Sequence, residues 1–163
     1  MPARPEDLFA RLEELGIETT THEHPPLYTV EQSRELRGEI PGGHSKNLFM
    51  KDKKGRVALA SLQEDTEVDL KGFGQKIGIG RISFGKPDLL MELLGVEPGG
   101  VTPFGLINDT ENRVTVVLEE RLMAHEVVNF HPLTNAATTS IRPDDLLKFI
   151  RACGHEPAII AVG

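Results

Sequence analysis

Lys46-Asn47-Leu48-Phe49-Met50-Lys51 and Arg56-Val57-Ala58-Leu59-Ala60-Ser61-Leu62 are two β-rich runs separated by Asp52-Lys53-Lys54-Gly55. A short polar connection ending in glycine suits a hairpin turn, so the pair is read as two adjacent antiparallel strands. On the N-terminal side, Thr29 opens a short helix over 29–37, with Glu31 and Gln32 in its first turn and Gly38 as its stop. His24-Pro25-Pro26 ends a threonine-rich strand that runs from Ile17 to Glu23. Before that, Leu8, Leu12 and Leu15 recur at helical spacing ahead of Gly16, which predicts a helix over 5–15.

On the C-terminal side, residues 67–76 fit a helix despite Gly72 and Gly74, and Pro87-Asp88 begins a clearer one that carries Leu89, Leu90, Leu93 and Leu94 to Gly95. Pro98-Gly99-Gly100 reads as a loop. Strands are expected near 104–108, 113–119, 126–130 and 137–141, followed by a helix from Pro143 to Cys153 and a terminal strand from Ala158 to Val162. Helices and strands that alternate with several hairpins indicate an α/β chain. The expected architecture is a single domain over 1–163 with a mixed, mostly antiparallel sheet and helices packed outside it.

With 163 residues, 39% of them hydrophobic, the chain can fill one full-sized core but not two. Its 18 Lys and Arg against 25 Asp and Glu give a net charge of -7, which argues against holding duplex DNA by broad phosphate neutralisation. Any nucleic-acid contact must be local. One cysteine cannot form an internal disulfide, and the first sixteen residues lack the apolar run of a signal peptide or membrane span. A cytoplasmic protein is expected, with no membrane partner.

Most motif-like patterns have a simpler explanation. Gly80 to Lys86 has the glycine and lysine spacing of a phosphate-binding loop, but Pro87 stands where a Ser or Thr must ligand Mg²⁺. Gly72, Gly74 and Gly78 lack the preceding hydrophobic strand of a dinucleotide site. His22 and His24 lie two apart and could begin a metal site, yet no third ligand is evident nearby. Cys153 reads as a small side chain late in an amphipathic helix. Ser45 lacks nucleophile-elbow glycines, and Glu64, Asp65, Glu67 and Asp69 suit a charged surface turn.

Three features remain. Lys46-Asn47 precedes the apolar Leu48-Phe49-Met50; Gly100-Val101-Thr102-Pro103 is a loop whose glycine lets the backbone approach a ligand; Asn129-Phe130-His131-Pro132 ends a strand in a polar cluster, with Asn135, Ala136 and Ala137 close behind. Taken singly, each is better explained by an ordinary structural role than by a site.

Together these features resemble the YbaK/ProX family, the editing domain inserted in bacterial prolyl-tRNA synthetases and its free-standing relatives. The resemblance rests on His44-Ser45-Lys46-Asn47-Leu48-Phe49, the Gly100 to Pro103 loop, and Asn129 to Pro132 followed by Asn135 and Thr138. It spans most of the chain in the family's order and is nearest to the branch that deacylates Ala-tRNA(Pro). It implies the YbaK/prolyl-tRNA synthetase-associated domain fold, with a cleft for an aminoacyl-adenosine terminus and hydrolysis of the aminoacyl ester. No metal or organic cofactor is implied. Lys46 would be its most characteristic functional residue, with Asn47, Gly100, Val101, Thr102 and His131 around the same cleft.

An aminoacyl ester is already activated, so such a site mainly positions substrate, stabilises an oxyanion and aims a water. Lys46 would supply the cation, backbone amides around Gly100 would complete an oxyanion site, His131 would orient the ribose or a water, and a ribose hydroxyl would assist. Walls formed by Leu27, Tyr28, Val30, Phe49 and Ala136 would admit alanine and exclude proline by size. Steric exclusion must dominate there, because a methylene by itself discriminates by only ~1–3 kcal/mol. Lys51, Lys53, Lys54 and Arg81 are candidates for tRNA contact, with a solvated surface role as the competing explanation for each. The expected partner is the acceptor end of tRNA(Pro) carrying a wrong amino acid, with prolyl-tRNA synthetase as a further candidate. Deacylation of Cys-tRNA(Pro), and a non-catalytic aminoacyl-tRNA-binding module, stand as alternatives.

Overall fold

The computed structural model of the chain describes residues 2–25, 40–78 and 82–162. The element that organises them is strand β2, Gly43–Asp52, which forms the expected hairpin with β3, Val57–Gln63, in register from Ser45↔Gln63 to Lys51↔Val57. The turn is fixed by its own sequence. Asp52 Oδ1 accepts the backbone N–H groups of Lys54 and Arg56, both at 2.9 Å, and Gly55 takes φ +84°, the left-handed conformation that glycine adopts without a Cβ penalty.

Around this hairpin lie β1 (Thr20–Glu23), β4 (Ile82–Phe84), β5 (Val114–Glu119), β6 (Val128–Phe130), β7 (Ala137–Ile141) and β8 (Ala158–Ile160). The sheet runs β1-β7-β6-β2-β3-β5-β8, with β4 also paired to β2. Four pairings are antiparallel and three parallel, so the sheet is mixed with an antiparallel majority, as the α/β reading requires. One edge of β2 changes partner along its length. It pairs in parallel with β6 at Gly43 and His44, then with β4 only from Met50 onward. Among the described strands, none pairs with that edge between the two.

Strict alternation puts the side chains of β2 and β3 on two differently covered faces. Phe49, Val57 and Leu59 face the larger core, where α1 (Pro5–Glu14), α3 (Pro87–Leu94) and α5 (Pro143–Ala152) pack. Phe104 forms its centre, edge-on to Phe130 and Phe149 at 6.0 and 5.5 Å. Met50, Ala58, Ala60 and Leu62 face the smaller core with Phe73 of α2 (Leu70–Lys76).

Several elements differ from the sequence reading. The strand expected near 104–108 is a 3₁₀ helix, Pro103–Asn108: Thr102 Oγ1 accepts the Phe104 N–H, Pro103 fixes the first turn, and Gly105 packs so close to Leu94 that a Cβ would meet it at 2.9 Å. Pro98–Gly100 is also a 3₁₀ turn. The strand expected at 126–130 spans only Val128–Phe130, after a one-turn helix α4, Glu120–Met123. The helix expected at 29–37 lies outside the described residues.

Candidate active site

Lys46 and Asn47 are neighbours in sequence but point to opposite faces of β2. Lys46 lies across from Leu62 of the smaller core, whereas Asn47 lies across from Ser61 on the side of Phe49 and Leu59. Asn47 is fully engaged there: its Oδ1 accepts from Ser61 Oγ at 2.6 Å and its Nδ2 donates to Ser45 Oγ at 3.2 Å. Phe49 is buried in the main core, with its ring against Gly85, where a Cβ would approach to 2.3 Å.

The Lys46 side chain is half-buried, and its ammonium donates to the Thr66 carbonyl. That carbonyl belongs to a turn held by the fully buried Glu119, which accepts the Thr66 hydroxyl at 2.6 Å and the Gln63 N–H at 2.8 Å on Oε1. Arg121 adds donors to Thr66 Oγ1 and Asp65 Oδ1, each at 3.3 Å. The Gln63 side chain donating to Asp65, with Arg121 and Lys46 close by, holds the Asp65 carboxyl below its ordinary pKa. Lys46 thus rests against an acceptor fixed by Glu119 in the turn after β3, while on the opposite edge of β2 the pairing with β6 breaks off after His44.

The other side of that break carries His131. The parallel register is Gly43↔Val128 and His44↔Asn129; continued two steps past the last observed pair it would set Lys46 opposite His131, the residue that follows the end of β6. Asn129 ties the strands together, donating through Nδ2 to the Pro41 and Gly43 carbonyls at 3.1 Å and accepting from Ser140 Oγ. Ser45 Oγ donates to the Asn129 carbonyl at 2.9 Å.

His131 Nδ1 lies 3.0 Å from the Ala137 carbonyl, which can only accept. The proton therefore sits on Nδ1 and leaves the Nε2 lone pair as an acceptor. Burial lowers the His131 pKa below its ordinary value; the Ala137 carbonyl opposes this and neighbouring His24 adds to it. The ring is neutral at neutral pH. His24 lies edge-on to His131, with centroids 6.4 Å apart. Its Nδ1 donates to the Pro25 carbonyl, so its Nε2 accepts the Thr138 hydroxyl, both at 2.9 Å.

Gly100 is buried, and its own N–H is committed to the Glu97 carbonyl at 2.8 Å. Val101 follows, half-buried, and Thr102 is buried as the cap of the next 3₁₀ turn. A cavity of about 220 Å³ separates this loop from Leu133, Thr134 and Asn135, in the segment that follows His131. Ala136 lines a different, larger hollow with His24, Phe9 and Pro132. Leu27, Tyr28 and Val30 lie outside the described residues, as does Arg81. Lys51 lies along β2 and is half-buried, while Lys53 and Lys54 are exposed at the hairpin tip. Lys53 is seven residues from Lys46, about 23 Å along an extended strand.

The structure therefore sets Lys46 on the face of the smaller core and leaves Asn47 and Phe49 on the other, and Val101 of the Gly100 loop packs against the larger core, on the side of Phe49. Thr66 and Glu119, which fix the lysine, were not singled out from sequence: a threonine after an acidic turn and a glutamate ending a strand have no distinctive spacing. His24 was noticed only as half of a metal pair. Among the described residues no three His, Cys, Asp or Glu side chains converge as metal ligands.

The chain belongs to the aminoacyl-tRNA editing domain family, which matches residues 24–149. It is 40% identical to prolyl-tRNA synthetase associated domain-containing protein 1 of Danio rerio, over 96% of this chain and 89% of that protein. It is 38% identical to the prolyl-tRNA editing protein ProX of Acetoanaerobium sticklandii, over 91% of each chain. The fold also matches the crystal structure of a protein proposed as a trans-editing enzyme for prolyl tRNA synthetase, with a TM-score of 0.73 and 23% identity over the full length of both.

Proposed function

We propose that this protein is a trans-editing deacylase that hydrolyses the aminoacyl ester of mischarged tRNA(Pro), with Ala-tRNA(Pro) as its preferred substrate and the tRNA acceptor end, and through it prolyl-tRNA synthetase, as partners. The observation that carries this reading is the half-buried Lys46, whose ammonium has only a main-chain carbonyl, that of Thr66, as its recorded partner and so keeps its positive charge for a substrate. The two likenesses to prolyl-tRNA editing and synthetase-associated proteins support the choice of tRNA(Pro).

In this mechanism the ester carbonyl exchanges with the Thr66 carbonyl as the partner of Lys46. Water adds to the carbonyl carbon, the oxyanion is stabilised by the ammonium, and the C–O bond to the ribose breaks as the departing oxygen takes a proton. His131 Nε2 accepts a hydrogen bond from the attacking water or from the neighbouring ribose hydroxyl, which assists the transfer. The Gly100 N–H is occupied by Glu97, so the amides that follow it, Val101 and Thr102, are the ones assigned to the substrate. Asn47 acts from the opposite face by fixing the strand that carries Lys46.

Hydrolysis of tRNA(Pro) charged with alanine, cysteine or serine tests the assignment. The expected order places alanine first. Clear preference for the cysteinyl ester overturns the alanine assignment, and no turnover of any of the three overturns the editing reading.

A further inference from the structure

We infer that the Arg121 guanidinium is the seat of one phosphodiester of the substrate RNA beside Lys46, a seat that the Asp65 carboxylate fills in the free protein and gives up to the RNA. This rests on the editing reading of the Lys46 site and adds the residue that holds the RNA next to the reactive cation.

Arg121 and Lys46 converge on one residue. Arg121 leaves the one-turn helix α4, which the fully buried Leu122 anchors to the core. Its Nη1 donates to the Thr66 hydroxyl oxygen at 3.3 Å, while the lysine ammonium donates to the Thr66 carbonyl. The hydroxyl proton is directed at Glu119 Oε1, 2.6 Å away, so only an oxygen lone pair is left for the guanidinium. Nη2 reaches Asp65 Oδ1, also at 3.3 Å. The fork is thus split between a neutral hydroxyl and a single carboxylate oxygen, and both bonds are longer than the roughly 2.7–2.9 Å of a strong charge-assisted bond. Arg151 shows the alternative in the same molecule, with Nε and Nη2 on the two oxygens of Glu156, both at 3.1 Å.

The chemistry follows from that split. The side chains of Arg121 and Asp65 are 53% and 67% exposed, so water screens their pairing and its loss costs little. Gln63 Nε2 holds the carboxylate in place at 2.9 Å, and beside that bond both Arg121 and Lys46 lower its pKa. An anion therefore already sits in the field of both cations. A phosphodiester carries the same single charge on two oxygens, which both Nη groups of a planar guanidinium can engage at once. Exchange of the carboxylate for the phosphodiester leaves Thr66 bound to Glu119, so the support of Lys46 stays intact.

The test titrates uncharged tRNA(Pro) against wild type, Arg121→Gln and Asp65→Asn. Asparagine keeps the Oδ1 acceptor and removes the competing charge, so Asp65→Asn should bind the RNA about two- to fivefold more tightly. Arg121→Gln should bind it about tenfold more weakly. An ion pair with a purely structural role responds alike when broken from either side, so weaker binding by both variants overturns the proposal. Arg121→Gln also removes one phosphate contact, and its log–log salt slope should be shallower by about 0.7–0.9; an unchanged slope contradicts the seat. In the double variant Asp65→Asn should bring no gain. A gain that persists there is a general effect of net charge and overturns the seat as well. Asp65 is exposed, so its variant keeps the test open even if Arg121→Gln loosens the turn.

Because binding is read without turnover, the two claims fail separately. Opposite shifts in affinity from the two variants, in a protein that hydrolyses none of the charged tRNAs, would retain the seat and refute the deacylase reading. Hydrolysis by a protein whose two variants both bind tRNA(Pro) with wild-type affinity would do the reverse.

Discussion

At the scale of single residues, the state of His131 decides what the site can do. Its proton is fixed on Nδ1 by the Ala137 carbonyl, and burial keeps the ring from taking a second. In the mechanism proposed above the neutral ring is the working form, so deacylation should fall as pH drops through a midpoint below the ordinary histidine value. Because His24 contributes to the depression, His24→Gln should move that midpoint upward, as followed by NMR titration of His131 and by the pH profile of kcat/KM. The linkage to stability has a definite sign. A folded-state pKa below the unfolded one means that the unfolded chain binds the proton first, so this histidine removes stability as pH falls below about 6.5 and adds nothing above it. Cys153 is inert by the same logic, because burial pushes its thiol up to about 11.

At the scale of elements, the turn after β3 is the support of the lysine. The Thr66 hydroxyl satisfies a fully buried Glu119 carboxylate, and its carbonyl holds the Lys46 ammonium. Thr66→Val keeps the shape and removes the donor, leaving the carboxylate short of a partner. It should cost about 1–3 kcal/mol, measured as a lower urea midpoint with unchanged slope. Elements of this kind also show what sequence patterns carry. The β2–β3 hairpin was legible because Asp52 and Gly55 are local turn residues acting on their own backbone. The stretch 104–108 was misread as a strand because its apolar run is buried by contact with Leu94 of α3, and burial alone does not distinguish a strand from a tight helix. The opposite orientations of Lys46 and Asn47 follow from strand alternation, yet their resemblance to a motif groups them on one cleft. Which face mattered depended on the parallel partner β6, eighty residues away in sequence.

At the scale of the whole molecule, a net charge of -7 leaves little surface on which to hold RNA phosphates. The exposed Lys53 and Lys54 stand about 23 Å along β2 from Lys46, a span that lets the hairpin tip touch an acceptor stem whose end lies in the site. A contact limited to about three phosphates predicts a log–log salt slope near −3 for tRNA binding, far shallower than broad phosphate neutralisation gives. Replacing both lysines with glutamate should weaken binding several-fold at low salt and leave the ratio of alanine to cysteine hydrolysis unchanged; a changed ratio would place the hairpin at the amino acid instead. The resemblance in sequence pointed to the residues, but the change of partner along the β2 edge, from β6 to β4, belongs to the assembled sheet.

The central claim is that the Lys46 ammonium stabilises the oxyanion of the ester. Single-turnover hydrolysis of Ala-tRNA(Pro) by wild type and Lys46→Ala, at equal enzyme saturation, measures this directly. The account predicts a loss of roughly 100- to 1,000-fold in the variant, with its fold and tRNA affinity retained. An unchanged rate in Lys46→Ala would contradict it.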